Sequence, residues 1–254
     1  MFFGMKEERP IWMRIIPDLL AFAIGLAAAY FLRWETGDLV WSLWFCSLMV
    51  GYLTILVTIG SGIYIGLHMM THREFERKYR IPAILGGGAV ALFFIAFFSF
   101  HFCGFHAGHS AFLASFFPVP GMPEGGFSGF FMNPFGLLTG AFSTLLPIYG
   151  VFLIPALIAE RKNLLKPVAG AMNIVQKTQG ITDIKALRKN GASESRKKSG
   201  ADFMIGPYKN VIRMHLLIFF FAGAHFMKLD HFAVYAVVYA VYFFPWRELF
   251  RKQI

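Results

Sequence analysis

From Ile81 to Phe117 the chain runs thirty-seven residues without one Lys, Arg, Asp or Glu. As a single helix this stretch would be roughly 55 Å long, against a bilayer core of about 30 Å. Such a run is too apolar for the surface of a soluble domain and too long for one ordinary membrane span. It therefore fixes the class of fold, a polytopic helical membrane protein, and predicts a break. Gly104 and Gly108 stand where a break would fall. The expectation is a span over about 81–103 followed by an interfacial or re-entrant piece over 105–117, since irregular backbone at membrane depth survives only under cover of protein or water.

Five more apolar stretches can each supply the ~20 residues of a spanning helix. They cover about 11–32, 38–68, 135–159, 209–227 and 231–248. The fold class expected is all-α: a transmembrane helical bundle of about six spans forming a single transmembrane domain over 1–254. The composition agrees, with 57% hydrophobic residues and 15% charged, where soluble domains carry about 25% charged.

Charge in the connecting segments orients the bundle. Lys6, Arg9 and Arg14 precede or open the first run, and "RWETGD" after it is near neutral. Arg73, Arg77, Lys78 and Arg80 follow the second run, whereas the Gly/Pro-rich stretch 118–134 holds only Glu124. Residues 160–207 carry ten Lys or Arg against four Asp or Glu, "KLD" follows the fifth run, and Arg247, Arg251 and Lys252 close the chain. Basic segments alternate with neutral ones throughout, so the positive-inside rule places both termini in the cytoplasm. It makes 160–207 a basic, solvated cytoplasmic loop and 118–134 a compact external one. The first run lacks a small-residue cleavage site and reads as a span, not a signal peptide.

The net charge of +10 is accounted for by this retention of basic residues inside, with no appeal to nucleic acid. The implied partners are the lipid bilayer and anionic headgroups at the basic cytoplasmic segments, and a homo-oligomer is compatible with the pattern. Cys46 and Cys103 have no CxxC or zinc-ribbon spacing. Small residues recur in three spans, as Ala21-xxx-Gly25-xxx-Ala29, Gly86-Gly87-Gly88 and Gly136-xxx-Gly140, and read as sites of close helix packing.

Histidine carries what chemistry there is. "HFCGFHAGHS" places His101, His106 and His109 at the outer end of the third span. The orientation brings His225, near the end of the fifth span, and His231, opening the sixth, to the same level. On a helix the first three would cover an arc of about 140°, with His106 and His109 neighbours and His101 further round. Neutral imidazole suits zinc, copper and iron, so these five are candidate ligands of a transition metal or haem. Interface histidines that only bond a nearby carbonyl are the plainer reading. His68 and His72 share a helix face without the Glu of a zincin motif, and Arg213 with His215 form a possible polar site inside the membrane.

Other classes find weaker support. "GFSG", residues 126–129, looks like the serine motif of rhomboid intramembrane proteases, with His231 as base. Here Ser128 sits in a Gly/Pro-rich loop, and no Gly-rich helix surrounds His231. A small-molecule or ion transporter would want polar groups deep in several spans, and Asp18, Thr54, Thr58, Thr139 and Ser143 are the few on offer.

Three stretches together resemble a family of bacterial integral membrane proteins carried as a domain of unknown function. They are "GDLVWSLWFCSLMVGYLTIL", "FFSFHFCGFHAGHSAFL" with a His-aromatic-Gly…His signature, and "NVIRMHLLIFF" with its Arg-x-His. Such sequences tend to have an acidic residue after the aromatic pair of the second span, and "WFCSL" has none. The resemblance implies a multi-pass location in a bacterial inner membrane. It marks His101, Gly104, Phe105, His109, Arg213 and His215 without giving them a task.

The function favoured by the sequence is a binding or structural membrane component. A metal or haem at the outer histidines would be lost in the His101→Ala/His109→Ala double variant. Elemental analysis and an optical spectrum of the purified protein, beside wild type, check this.

Overall fold

The computed structural model describes residues 11–71 and 77–179, and, further on, residues 212, 216, 219–221, 223–229 and 232–244. Six helices have defined bounds: α1 (Ile11–Phe31), α2 (Thr36–Thr71), α3 (Arg77–Phe116), α4 (Pro134–Tyr149), α5 (Leu153–Gln179) and α6 (Phe232–Phe243). Residues 219–221 and 223–226 are helical as well. The described residues form an all-α structure. Three of its stretches are long and apolar enough to cross a membrane: Thr36–Met70, Arg77–Phe116 and Pro134–Gln176.

The centre of the bundle is the antiparallel pair α2 and α3. Trp41, Trp44, Leu48, Gly51, Ile55 and Ile59 recur on α2 at three- and four-residue steps, and all the apolar side chains among them are buried. Opposite them α3 buries Phe98, Phe102, His106, Ser110 and Leu113. Alternating steps of three and four let the ridges of one helix enter the grooves of the other. The register is pinned at several heights. The Trp41 indole N–H donates to the Phe117 carbonyl (2.7 Å) and that of Trp44 to the His106 carbonyl (3.2 Å). The hydroxyls of Tyr52 and Ser99 are hydrogen-bonded to each other at 2.8 Å. Gly51 makes room for the Phe102 ring, which a Cβ would meet at 2.5 Å.

The expected break at Gly104 and Gly108 is corrected: α3 runs unbroken to Phe116. A glycine inside a helix costs only about 1 kcal/mol. The continuous row of buried side chains on both sides of Gly104 outweighs that. No 105–117 segment turns back into the bundle. The segment that does so is the next one, 118–133. Phe117 lies against Gly37 at one end of α3, while Phe131 lies against Gly104. The chain has thus retreated along α3 by thirteen residues, about 20 Å. The stretch 118–134 thus packs against α3. Its tip is irregular apart from one 3-10 turn, Ser128–Phe130.

The fourth predicted span is also revised. It consists of α4 and α5 joined by a 3-10 turn, Gly150–Phe152, lying between Pro147 and Pro155. Each proline withholds an N–H from the ladder, and local irregularity follows. Beyond residue 159 the chain stays helical to Gln179, so the first twenty residues of the expected loop 160–207 are helix. The remainder, from 180, lies outside the described residues.

Outside the central pair, α5 packs on α2 and on α1, and α6 on α1. The small residues of α1 serve this packing. Ala21 and Ala29 are buried, and Gly25 faces Tyr239 and Phe152 at distances no side chain would fit. Gly136 and Gly140 likewise receive the Phe130 ring. Gly86, Gly87 and Gly88 have nothing within 4 Å of their Cβ positions, so the third small-residue group is not used for packing among the described residues. The Asp18 carboxylate of α1 bonds both Arg161 and Lys162 of α5, the latter at 3.0 Å.

The C-terminal end of α1 and that of helical residues 223–226 close in the same way. Arg33 and Lys228 have positive φ (53° and 55°). The next residue in each case, Trp34 or Leu229, returns its N–H to the carbonyl five positions back, at Ala29 or Ala224. This is the Schellman closure, where glycine is usual. Here a cation takes the place, and its charge suits the negative end of the helix dipole.

The Gly51→Ala variant is expected to lose about 1–3 kcal/mol through overpacking against Phe102. Thermal unfolding of the detergent-purified protein reads this as a lowered melting temperature, and an unchanged one would contradict the packing described.

Candidate functional site

His106 lies at the centre of the α2–α3 contact, 1% exposed. Its Nδ1 is 2.9 Å from the Phe102 carbonyl and its Nε2 is 3.3 Å from the Ser47 hydroxyl. A carbonyl oxygen only accepts, so Nδ1 carries the proton. Nε2 is paired with the Ser47 hydroxyl, which can donate or accept, so both nitrogens are engaged. The Trp44 ring stands edge-on to the imidazole at 5.8 Å, and Phe102 lies at 4.4 Å. The histidine fits this apolar place because each polar atom has a partner.

The returning segment completes the enclosure. Phe127 stacks on Trp44 with ring centroids 5.5 Å apart and meets Trp41 edge-on at 6.4 Å. Its backbone N–H donates to the Ser110 hydroxyl (2.8 Å), which itself donates to the Ala107 carbonyl (2.7 Å). Gly126 brings the chain close enough for this. Its φ is +66°, and a Cβ would stand 2.5 Å from the Ser110 carbonyl oxygen. Both the positive φ and the close approach require glycine. Past the tip, Asn133 caps α4 by accepting from the Gly136 N–H (2.8 Å), and Pro134 opens the helix with no N–H to satisfy. The start of α4 thereby leaves fewer bare donors.

The remaining predicted site residues divide. His109 neighbours His106, with ring centroids 6.4 Å apart, as helical spacing required. His101 lies on the exposed side of α3, stacked on Phe97 at 5.3 Å and edge-on to Phe105 at 4.9 Å. His225 packs against Phe117 at 5.1 Å. His231, Arg213, His215 and His72 lie outside the described residues. Among the described residues no group of three His, Cys, Asp or Glu side chains comes together as a metal site would require. Cys46 and Cys103 are buried free thiols. The Ser128 hydroxyl of "GFSG" donates to the Gly125 carbonyl (2.8 Å) and helps shape its own turn.

A protein-family model matches the chain. Residues 5–242 fit a protein family described as "Family of unknown function (DUF6498)". The chain belongs to that family. The match covers nearly the whole chain, and the family is one of unknown function, as the resemblance implied. No curated protein and no solved structure matches the chain. The family therefore offers no activity to map onto the DUF6498 residues just described, and the site must be read from its own geometry.

Asp38 is among the structural residues that the sequence reading missed. Asp38 accepts from the Glu35 N–H (2.9 Å) and from the Tyr149 hydroxyl (2.9 Å), tying the start of α2 to the end of α4. The signal was present in "ETGD". An acidic side chain three residues beyond a helix cap, ahead of an apolar run, reaches back to the cap's N–H.

Replacing His106 by Ala strands Ser47 and opens a gap beneath Trp44. The expected loss is about 1–3 kcal/mol, whereas His101→Ala should stay within about 0.5 kcal/mol. Parallel melting curves check the contrast, and equal losses would show that His106 does not hold the core.

Proposed function

We propose that the chain is a multi-pass integral membrane protein of about six spans, with both termini cytoplasmic, in a bacterial inner membrane. Within it, the protein acts as a binding or structural component. The observation that carries the membrane reading is α3. Its first half displays Leu85 (68% exposed), Leu92 and Phe93 on a helix forty residues long, in a stretch with no charge at all. Water would not tolerate such a face, and lipid would. The second half of α2, with Leu53, Leu56, Ile63 and Leu67 exposed, supports the same conclusion.

A structural or binding role is favoured over chemistry by how the polar groups are used. Both nitrogens of His106 face partners within the protein. The hydroxyls of Thr54, Thr58, Thr139 and Ser143 donate to carbonyls of their own helices. Asp18 is held by two cations. These hydroxyls are engaged within their own helices, and Asp18 ties α1 to α5.

The topology has a direct test. Glu124 and Lys78 are both exposed and fall on opposite sides in the proposed orientation. In intact cells, a membrane-impermeant maleimide should label Glu124→Cys directly and Lys78→Cys only after the inner membrane is opened. Labelling of Lys78→Cys first, or of both alike, would refute the orientation. The native thiols are buried and contribute little background.

A further inference from the structure

We draw no further inference here: the strongest candidate, the exposed face of α3 on which Phe93, Phe97, His101 and Phe105 follow one another ring against ring, is an apolar surface, and nothing in the structure shows what covers it.

Discussion

A polar atom buried among apolar side chains costs free energy unless it is paired, and in this bundle that cost decides the register of the central helices. Trp41 and Trp44 are fully buried, and each has one indole N–H to dispose of. Both point across to carbonyls of α3 or its C-terminal end, at Phe117 and His106. Sliding α3 by a turn would leave both donors bare, at about 1–3 kcal/mol each, and would part His106 from Ser47. Apolar packing alone tolerates more than one register; two tryptophans with fixed donors do not. The seat for Phe127 exists only once that register is set, because its walls are Trp41, Trp44 and Ser110.

What was legible in the sequence was what depends on sums over many residues. Apolar runs and the absence of charge pointed to long helices, and α2 and α3 are there. The spacing of His106 and His109 placed them as neighbours. Small residues in α1 foretold close contact, and Gly25 and Ala29 supply it. What was not legible depended on single competing terms. Two glycines in α3 suggested a break, yet the buried row from Phe98 to Leu113 is continuous and outweighs two modest propensity penalties. The basic residues after 159 suggested a loop, although "NLLKPVAGAMNIV" has helical spacing, and Ala171 and Val175 find a buried place.

The candidate site was half readable for a related reason. Histidine in an apolar run signals something, but composition cannot say whether the ring meets a ligand or a carbonyl. That depends on Ser47 and Phe102, and Ser47 lies fifty-nine positions away in the chain. The return of residues 118–133 into the bundle was also hidden. Its glycines and prolines say only that the chain turns. That Gly126 turns it against Ser110 is a fact of packing between α3 and a segment whose own sequence has little apolar periodicity.

The arrangement around Phe127 implies an order of assembly. Its walls come from α2 and α3, both earlier in the chain, so a ribosome would deliver the seat before its occupant. The α2–α3 hairpin can form first, and 118–133 then folds back onto a surface already built. Asn133 and Pro134 follow at once to begin α4 from that fixed point. Synthesis from the N-terminus thus presents the seat before Phe127 reaches it.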